Sequence, residues 1–342
     1  MFNAALRRIL LLLACAVSFN AAALSFDLDS IAAKGRFARF CVNTYRWGDR
    51  FFNTYDTAYV KGTGYNMNIK LRSDSWFDYN NLYFSDHNSI KMNSPTNSTV
   101  GIDLTYMAVS LAYDLNINKL TGGSDRTKSK FNFDFSCALL SASFCSISNN
   151  IGMNITEYDG KKIHRLKFDG VKTSEWGIEA NYFFNHKRYS YAAAFALSRL
   201  QQKSQGSFSL GLSYVNQNFK FDFSKLPPEL NYSGPALYDI RGQAFGIKVG
   251  YGHNWVIRRN ITVGISESLV PSIVIGSTAA DDRRRCTFRL SNRFNASFVW
   301  NHDRWFLGVI VKNDAALFFE KHSALANGLL SITTKFGWRF GI

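Results

Sequence analysis

Proline is scarce in this chain, five in 342 residues, and no run rich in Ser, Gly or Pro divides it. That excludes two domains on a long linker and favours one domain with terminal extras. No apolar run reaches the roughly 20 residues of a spanning helix. H-E-x-x-H, P-loop and G-x-S-x-G patterns are missing, which removes the best-marked metalloprotease, nucleotide and hydrolase readings. Its five cysteines match no zinc spacing, so neither a metal nor a cofactor is expected. A set of amphipathic helices able to blanket a sheet is missing too.

Aromatics are abundant, with 30 Phe, 16 Tyr and 7 Trp. Basic residues are also in excess, and the formal net charge is +15. The first residues read as an export signal. Arg7 and Arg8 are its charged part, Ile9–Phe19 its apolar core, and Ala21 and Ala23 the small residues before a cut near Ala23–Leu24. A basic exported protein should meet an anionic partner. Export makes nucleic acid a poor partner and lipid phosphate a better one.

Alternation runs through the rest of the chain. In "VGIDLTYMAVSLAYDLN" apolar residues occupy Val100, Ile102, Leu104 and Tyr106, then Met107, Val109, Leu111, Tyr113 and Leu115. A phase flip between adjacent residues requires a hairpin or a bulge, because one step sends every later side chain to the other face. The same alternation predicts strands at 65–72, 131–137, 176–184, 189–197, 208–214, 219–223, 245–251, 261–265, 288–300, 305–311 and 335–342, and a further strand without a readable phase lies near 140–149. With the opening pair these make fourteen.

Charges fall on one phase only. Lys70, Arg72, Lys220, Lys248, Arg289, Arg293, Lys312, Lys335 and Arg339 share it with Asp103, Asp114, Asp134, Glu179 and Asp222. A sandwich also alternates, but about fourteen strands cannot share one limited core. Hydrocarbon outside and water inside satisfies every strand. The expectation is an all-β, transmembrane, antiparallel up-and-down barrel of about 14 strands, range 12–16. These charges then line the lumen, and their basic excess would favour anions weakly if a water path exists.

Short connections (106–107, 138–141, 185–188, 215–218, 253–260, 301–304) alternate with longer ones (76–99, 117–130, 150–175, 199–206, 224–242, 267–285, 314–327). The short ones are expected at the periplasmic side. The organisation expected is a signal at 1–23, a periplasmic amphipathic helix and linker at 24–63, and an outer-membrane barrel at 64–342. In the helix Phe37, Phe40, Cys41, Trp47, Phe51 and Tyr55 share a face opposite Arg39, Arg46 and Arg50. That face either lies on the inner leaflet or packs beneath the barrel mouth.

The segments "DTAYVKGTGYNMNIKLRS", "VGIDLTYMAVSLAYDLN", "NYFFNHKRYSYAAAF", "QQKSQGSFSLGLSY" and "VGYGHNWVIRRNITVGIS" resemble the domain-of-unknown-function family 4421, over roughly residues 55–342. The resemblance implies an outer-membrane barrel of a Gram-negative bacterium and supplies no catalytic residue.

Candidate sites are few. His87 and Ser89 have the His-x-Ser spacing of a wall-mounted lipase, but they fall in a polar outer loop, where a solvated turn explains them better. His186 and His302 read as turn residues, and His253 is placed at another turn. The glycines of "GYGHNW" are expected to face inward beside a lumen side chain. Arg283, Arg284 and Arg285, and the basic run 161–167, are candidates for lipopolysaccharide phosphates. The closing strand, Lys335–Ile342, is expected to engage the barrel assembly machinery. Cys137 and Cys145 flank a turn, and both a disulfide and two thiols fit their spacing. The expected function is a passive or weakly anion-favouring channel or an envelope-structural protein. The alternatives are a lipid-modifying enzyme, which needs a held nucleophile, and a transporter of hydrophobic ligands, which needs a kinked strand or lateral opening.

Overall fold

The computed structural model describes residues 28–33, 35–52, 54–65, 67–84, 89–106, 109–116, 128–230, 232, 236–278, 281–319 and 323–341, with some side chains in these ranges excepted. Two helices come first, α1 (Leu28–Ala33) and α2 (Arg36–Phe52), joined by an Arg46–Asp29 ion pair at 2.8 Å. Phe37, Phe40 and Trp47 of α2 are exposed.

Strands make up most of the remainder, and hydrogen-bonded neighbours run round in a ring. Its members are β2 (Met67–Phe84), β4 (Asn97–Tyr106), β5 (Val109–Asn116), β6 (Lys128–Ser136), β7 (Leu140–Asn149) and β10 (Val171–Phe183). They continue with β12 (Gln205–Asp222), β13 (Leu237–Arg258), β14 (Ile261–Thr278), β15 (Asp281–His302), β16 (Trp305–Phe319) and β17 (Ser323–Phe340). The last strand pairs with the first, from Met67↔Phe340 to Phe84↔Ser323. All the neighbours are antiparallel. The thinnest seam joins β5 to β6, with the pairs Val109↔Phe135 and Ser110↔Asp134. The opening flip is the short connection between β4 and β5, whose pairing starts at Tyr106↔Val109.

Among the described residues twelve strands form the ring, the lower end of the expected range and two fewer than the fourteen counted, for two reasons. First, the alternating run Tyr189–Leu197 is not a strand. Ala192–Ala196 forms a buried π-helical turn, and its small residues let the chain coil tightly inside the ring. Second, the expected strands at 208–214 and 219–223 are one strand, β12. Its outward residues are Phe208, Leu210 and Leu212, then Asn216, Asn218, Lys220 and Asp222, while Phe219 and Phe221 face inward and are buried. The phase never flips; the surroundings do. Beyond Val215 the outside becomes polar and the inside apolar.

Other strands repeat this inversion. β13 turns Tyr238 and Ile240 inward, β16 Phe318, β2 Leu82 and β17 Leu325. The expected long loops at 76–99, 150–175, 267–285 and 314–327 are therefore largely strand. The segment 76–99 is mostly β2 and the short β3 (Ser89–Asn93). With β8 (Met153–Tyr158) and β9 (Lys161–Phe168), β3 extends the sheet at the end remote from the termini. The connection at 199–206 lies at the other end, with the tight turns, and is not an outer loop.

The outer face between these ends is apolar. Near the turns it carries Trp255, Trp300, Trp305 and Trp338; Trp305 stacks on Phe336 at 5.4 Å and on Trp338 at 5.7 Å. Such an aromatic girdle suits a headgroup region. One rung of the ladder is missing. Pro271, in mid-β14, has no N–H to donate, and the β13–β14 register skips Ile247 and Lys248.

Candidate functional site

The interior divides into three layers. At the remote end an apolar core fills the ring. Ile90, Met92, Met153, Ile155 and Phe168 from the added strands meet Phe219, Phe221 and Phe223. Phe223 stacks on Phe168 at 5.9 Å with their planes 1° apart. Burying side chains of this size stabilises by about 1.5–3 kcal/mol each, so this layer is a seal rather than a loose loop.

At the turn end a plug enters the ring. Tyr189, Ser190, Ala192–Ala194 and Leu197 are buried. Leu197 takes the left-handed conformation, φ 62°, which costs roughly 1–2 kcal/mol for a non-glycine residue. Its side chain pays this back by packing on Val299 and Phe306, at a place where Gly308 has no Cβ to obstruct it. Gly252 likewise leaves room for the Tyr189 ring, as its inward phase predicts.

Gln201 ties the plug together. Its Nε2 donates to Arg188 O at 2.7 Å and Lys203 O at 3.0 Å, and its Oε1 accepts from Ser190 N at 3.0 Å. Asn254 of β13 joins in, donating to Ser190 O at 2.8 Å. The short strands β1 (Val60–Gly62) and β11 (Arg199–Gln201) pair across this end. Arg339 donates to Asn301 Oδ1 at 2.6 Å and Leu197 O at 3.3 Å, and lies over the Phe306 ring at 4.2 Å.

Between the seals lies a cavity of about 240 Å³ lined by both charge signs. Glu179 is its central anion, accepting from Lys248 at 2.6 Å and Arg293 at 3.0 Å. Arg293 also reaches Asp314 at 3.8 Å. On the other wall Lys70 meets Asp103 at 3.1 Å and Thr105 at 2.7 Å, and Lys335 meets Asp103 at 3.5 Å. Arg289 bridges cavity and apolar core: it donates to Gln217 at 2.8 Å, pairs with Glu175 at 3.3 Å and covers the Phe318 ring at 4.9 Å. Pairing makes this interior tolerable, since a buried charge left alone costs several kcal/mol.

Of the expected lumen charges, Lys70, Arg72, Asp103, Asp134, Glu179, Lys248, Arg289, Arg293, Lys312 and Lys335 line the cavity. Arg339 is inside but belongs to the plug. Lys220 and Asp222 face outward on β12, beyond the apolar belt; their register with Asp239 and Leu237 shows it. Asp114 lies in β5, but its side chain is outside the described set. Sequence reasoning missed Asp74, Asp78, Lys130, Glu175 and Asp314. Asp74 accepts from Thr333 at 2.7 Å and Lys130 at 3.1 Å. Its even phase continues Lys70 and Arg72, so a longer strand would have revealed it.

The other candidates are scattered. His87 lies outside the described residues, and Ser89 begins β3, where its carbonyl accepts from Asp159 N at 2.8 Å. The side chains of Arg283, Arg284 and Arg285 are also outside the described set; their backbone belongs to β15. His253 is not at a turn. It sits on the outer face of β13, 4.5 Å from the Trp255 ring, and hydrogen-bonds Tyr251 Oη at 3.1 Å. Cys137 and Cys145 are free thiols. Among the described residues no cluster of His, Cys, Asp and Glu could hold a metal.

Residues 54–340 match the domain of unknown function family DUF4421, so the chain belongs to that family. No curated protein matches it. Among solved structures it is similar to the outer membrane protease OmpT from Escherichia coli, at 7% identity and a TM-score of 0.35, covering 80% of this chain and 97% of that one. It is also similar to the Pseudomonas putida toluene transporter TodX, at 8% identity and a TM-score of 0.25, covering 81% and 91%. A third likeness is to the CymD monoaromatic hydrocarbon channel, at 9% identity and a TM-score of 0.26, covering 82% and 90%. Scores this low carry no argument about activity.

Proposed function

For this member of the DUF4421 family we propose an integral outer-membrane barrel that is closed to free diffusion and acts in the structure of the envelope. The observation carrying this reading is the double seal: the Phe168–Phe219–Phe221–Phe223 core at one end and the plug around Gln201 at the other. An open channel would need both displaced. The apolar outer belt with its tryptophans supports the membrane setting, and the exposed aromatic face of α2 suits the inner leaflet. On this reading Arg283–Arg285 and the basic run of β9 are the candidates for lipopolysaccharide phosphates, and Lys335–Ile342 for the assembly machinery. Co-purification of lipopolysaccharide should fall on neutralising the three arginines.

A second reading, lateral passage of an apolar ligand, draws support from the missing rung at Pro271. The experiment separating the two is deletion of the gene. The structural reading expects increased detergent sensitivity and unchanged uptake of small or apolar solutes. Lost uptake behind an intact permeability barrier would overturn it.

A further inference from the structure

On the outer wall one acid stands where the membrane reading leaves it no water. Glu267 of β14 is opposed by Tyr251 of β13 and Phe294 of β15, so all three point outward. On β14 the outward apolar series runs from Ile261 to Ile275 with Glu267 in the middle. On β13 Tyr251 is likewise central between Phe245 and Ile257, and on β15 Phe294 between Phe288 and Trp300. Glu267 is thus at the centre of the belt on three neighbouring strands. Among the described residues it is the one Asp, Glu, Lys or Arg on that face within the belt.

Two neutral polar pairs elsewhere on the outer wall are matched inside the chain. Ser75 pairs with Ser98 at 3.0 Å, and Tyr79 donates to Asn313 at 3.3 Å. Glu267 is matched only in part. Asn292 Nδ2 donates to its Oε1 at 2.8 Å. The second carboxyl oxygen, the second amide N–H and Asn292 Oδ1 have no other partner among the described residues. In hydrocarbon such groups are costly until another side chain meets them.

We propose that this patch is the centre of a homodimer interface, with a second copy of the chain seated on β13–β15. The carboxyl–carboxamide pair is its own complement, since it offers both donors and acceptors. A two-fold axis normal to the membrane, passing beside Glu267, brings the carboxyl of each protomer to the carboxamide of its partner. Isologous contact of this kind is the commonest way for identical chains to close an assembly. Leu269, Ile273 and Leu290 flank the polar centre with aliphatic surface. The proposal rests on the reading that this wall faces lipid.

The test uses the full chain carrying Cys41→Ser and Cys286→Ser, reconstituted in lipid, with either Leu269→Cys beside the patch or Ile332→Cys on β17. Oxidation should cross-link the first into dimers and leave the second monomeric. Adding Glu267→Leu or Asn292→Leu should weaken association about tenfold, by sedimentation equilibrium. Removing a charge from an oil-facing wall does not endanger folding, which heat-modified gel mobility checks. Monomers throughout, undiminished association in Glu267→Leu, or cross-links from Ile332→Cys alone would overturn the dimer. Labelling both cysteines with lipid-soluble and water-soluble maleimides separates the two failures: entry of the water-soluble reagent at both sites would sink the membrane reading itself.

Discussion

The Tyr189 ring occupies the space that a side chain on Gly252 would take. A residue of the plug and a position on β13 are thereby fitted to each other. Gly252→Val should expel or strain the plug and cost about 1–3 kcal/mol, the range for overpacking. The loss should appear as a lower urea midpoint. Combining it with Tyr189→Ala should recover part of it, because the two residues share one contact.

Glu179 holds two cations from different strands, Lys248 and Arg293. Glu179→Gln leaves both without their closest acid. The expected cost is about 3–5 kcal/mol, as for a buried pair broken on one side, read from the same unfolding curves. An unchanged midpoint would mean that water reaches the cavity freely.

Much of this arrangement is legible in the sequence, and its gaps have physical causes. Alternation locates the ring strands other than β7, whose phase it leaves unset, because each has one face against the interior and one against an apolar outside. It misplaces Tyr189–Leu197, because a run of alternating large and small residues also suits a tight coil buried on all sides. It divides β12 in two, because hydrophobic phase records surroundings rather than direction, and the surroundings invert near Val215. Reading β14 as ending at Ile265 hid Glu267 in an imagined loop. The cavity charges were visible as a class, but which acid meets which base depends on the register and curvature of the ring.

Pro271→Val should restore the rung beside Ile247. A single recovered backbone hydrogen bond is worth about 0.5–1.5 kcal/mol, so the variant should unfold later in urea than the parent chain. If lateral passage is the function, the same variant should slow uptake of an apolar ligand while gaining stability.

The thiols should differ in reactivity. Cys286 is exposed, while Cys137 is buried and that burial pushes its thiol pKa up. Only the thiolate reacts. A maleimide at neutral pH should therefore label Cys286 quickly and Cys137 slowly in the folded protein, and mass spectrometry should find no Cys137–Cys145 disulfide. Equal rates would contradict the packing of the 137–139 turn.

Planar-bilayer recording tests the double seal most directly. The purified chain should show no steady conductance, and a variant lacking residues 189–198 should, at most, flicker open with little preference between anions and cations, since the remote core still stands and Asp74, Asp78, Glu175 and Asp314 offset most of the basic excess expected from the sequence. A stable open current from the intact chain would contradict the account.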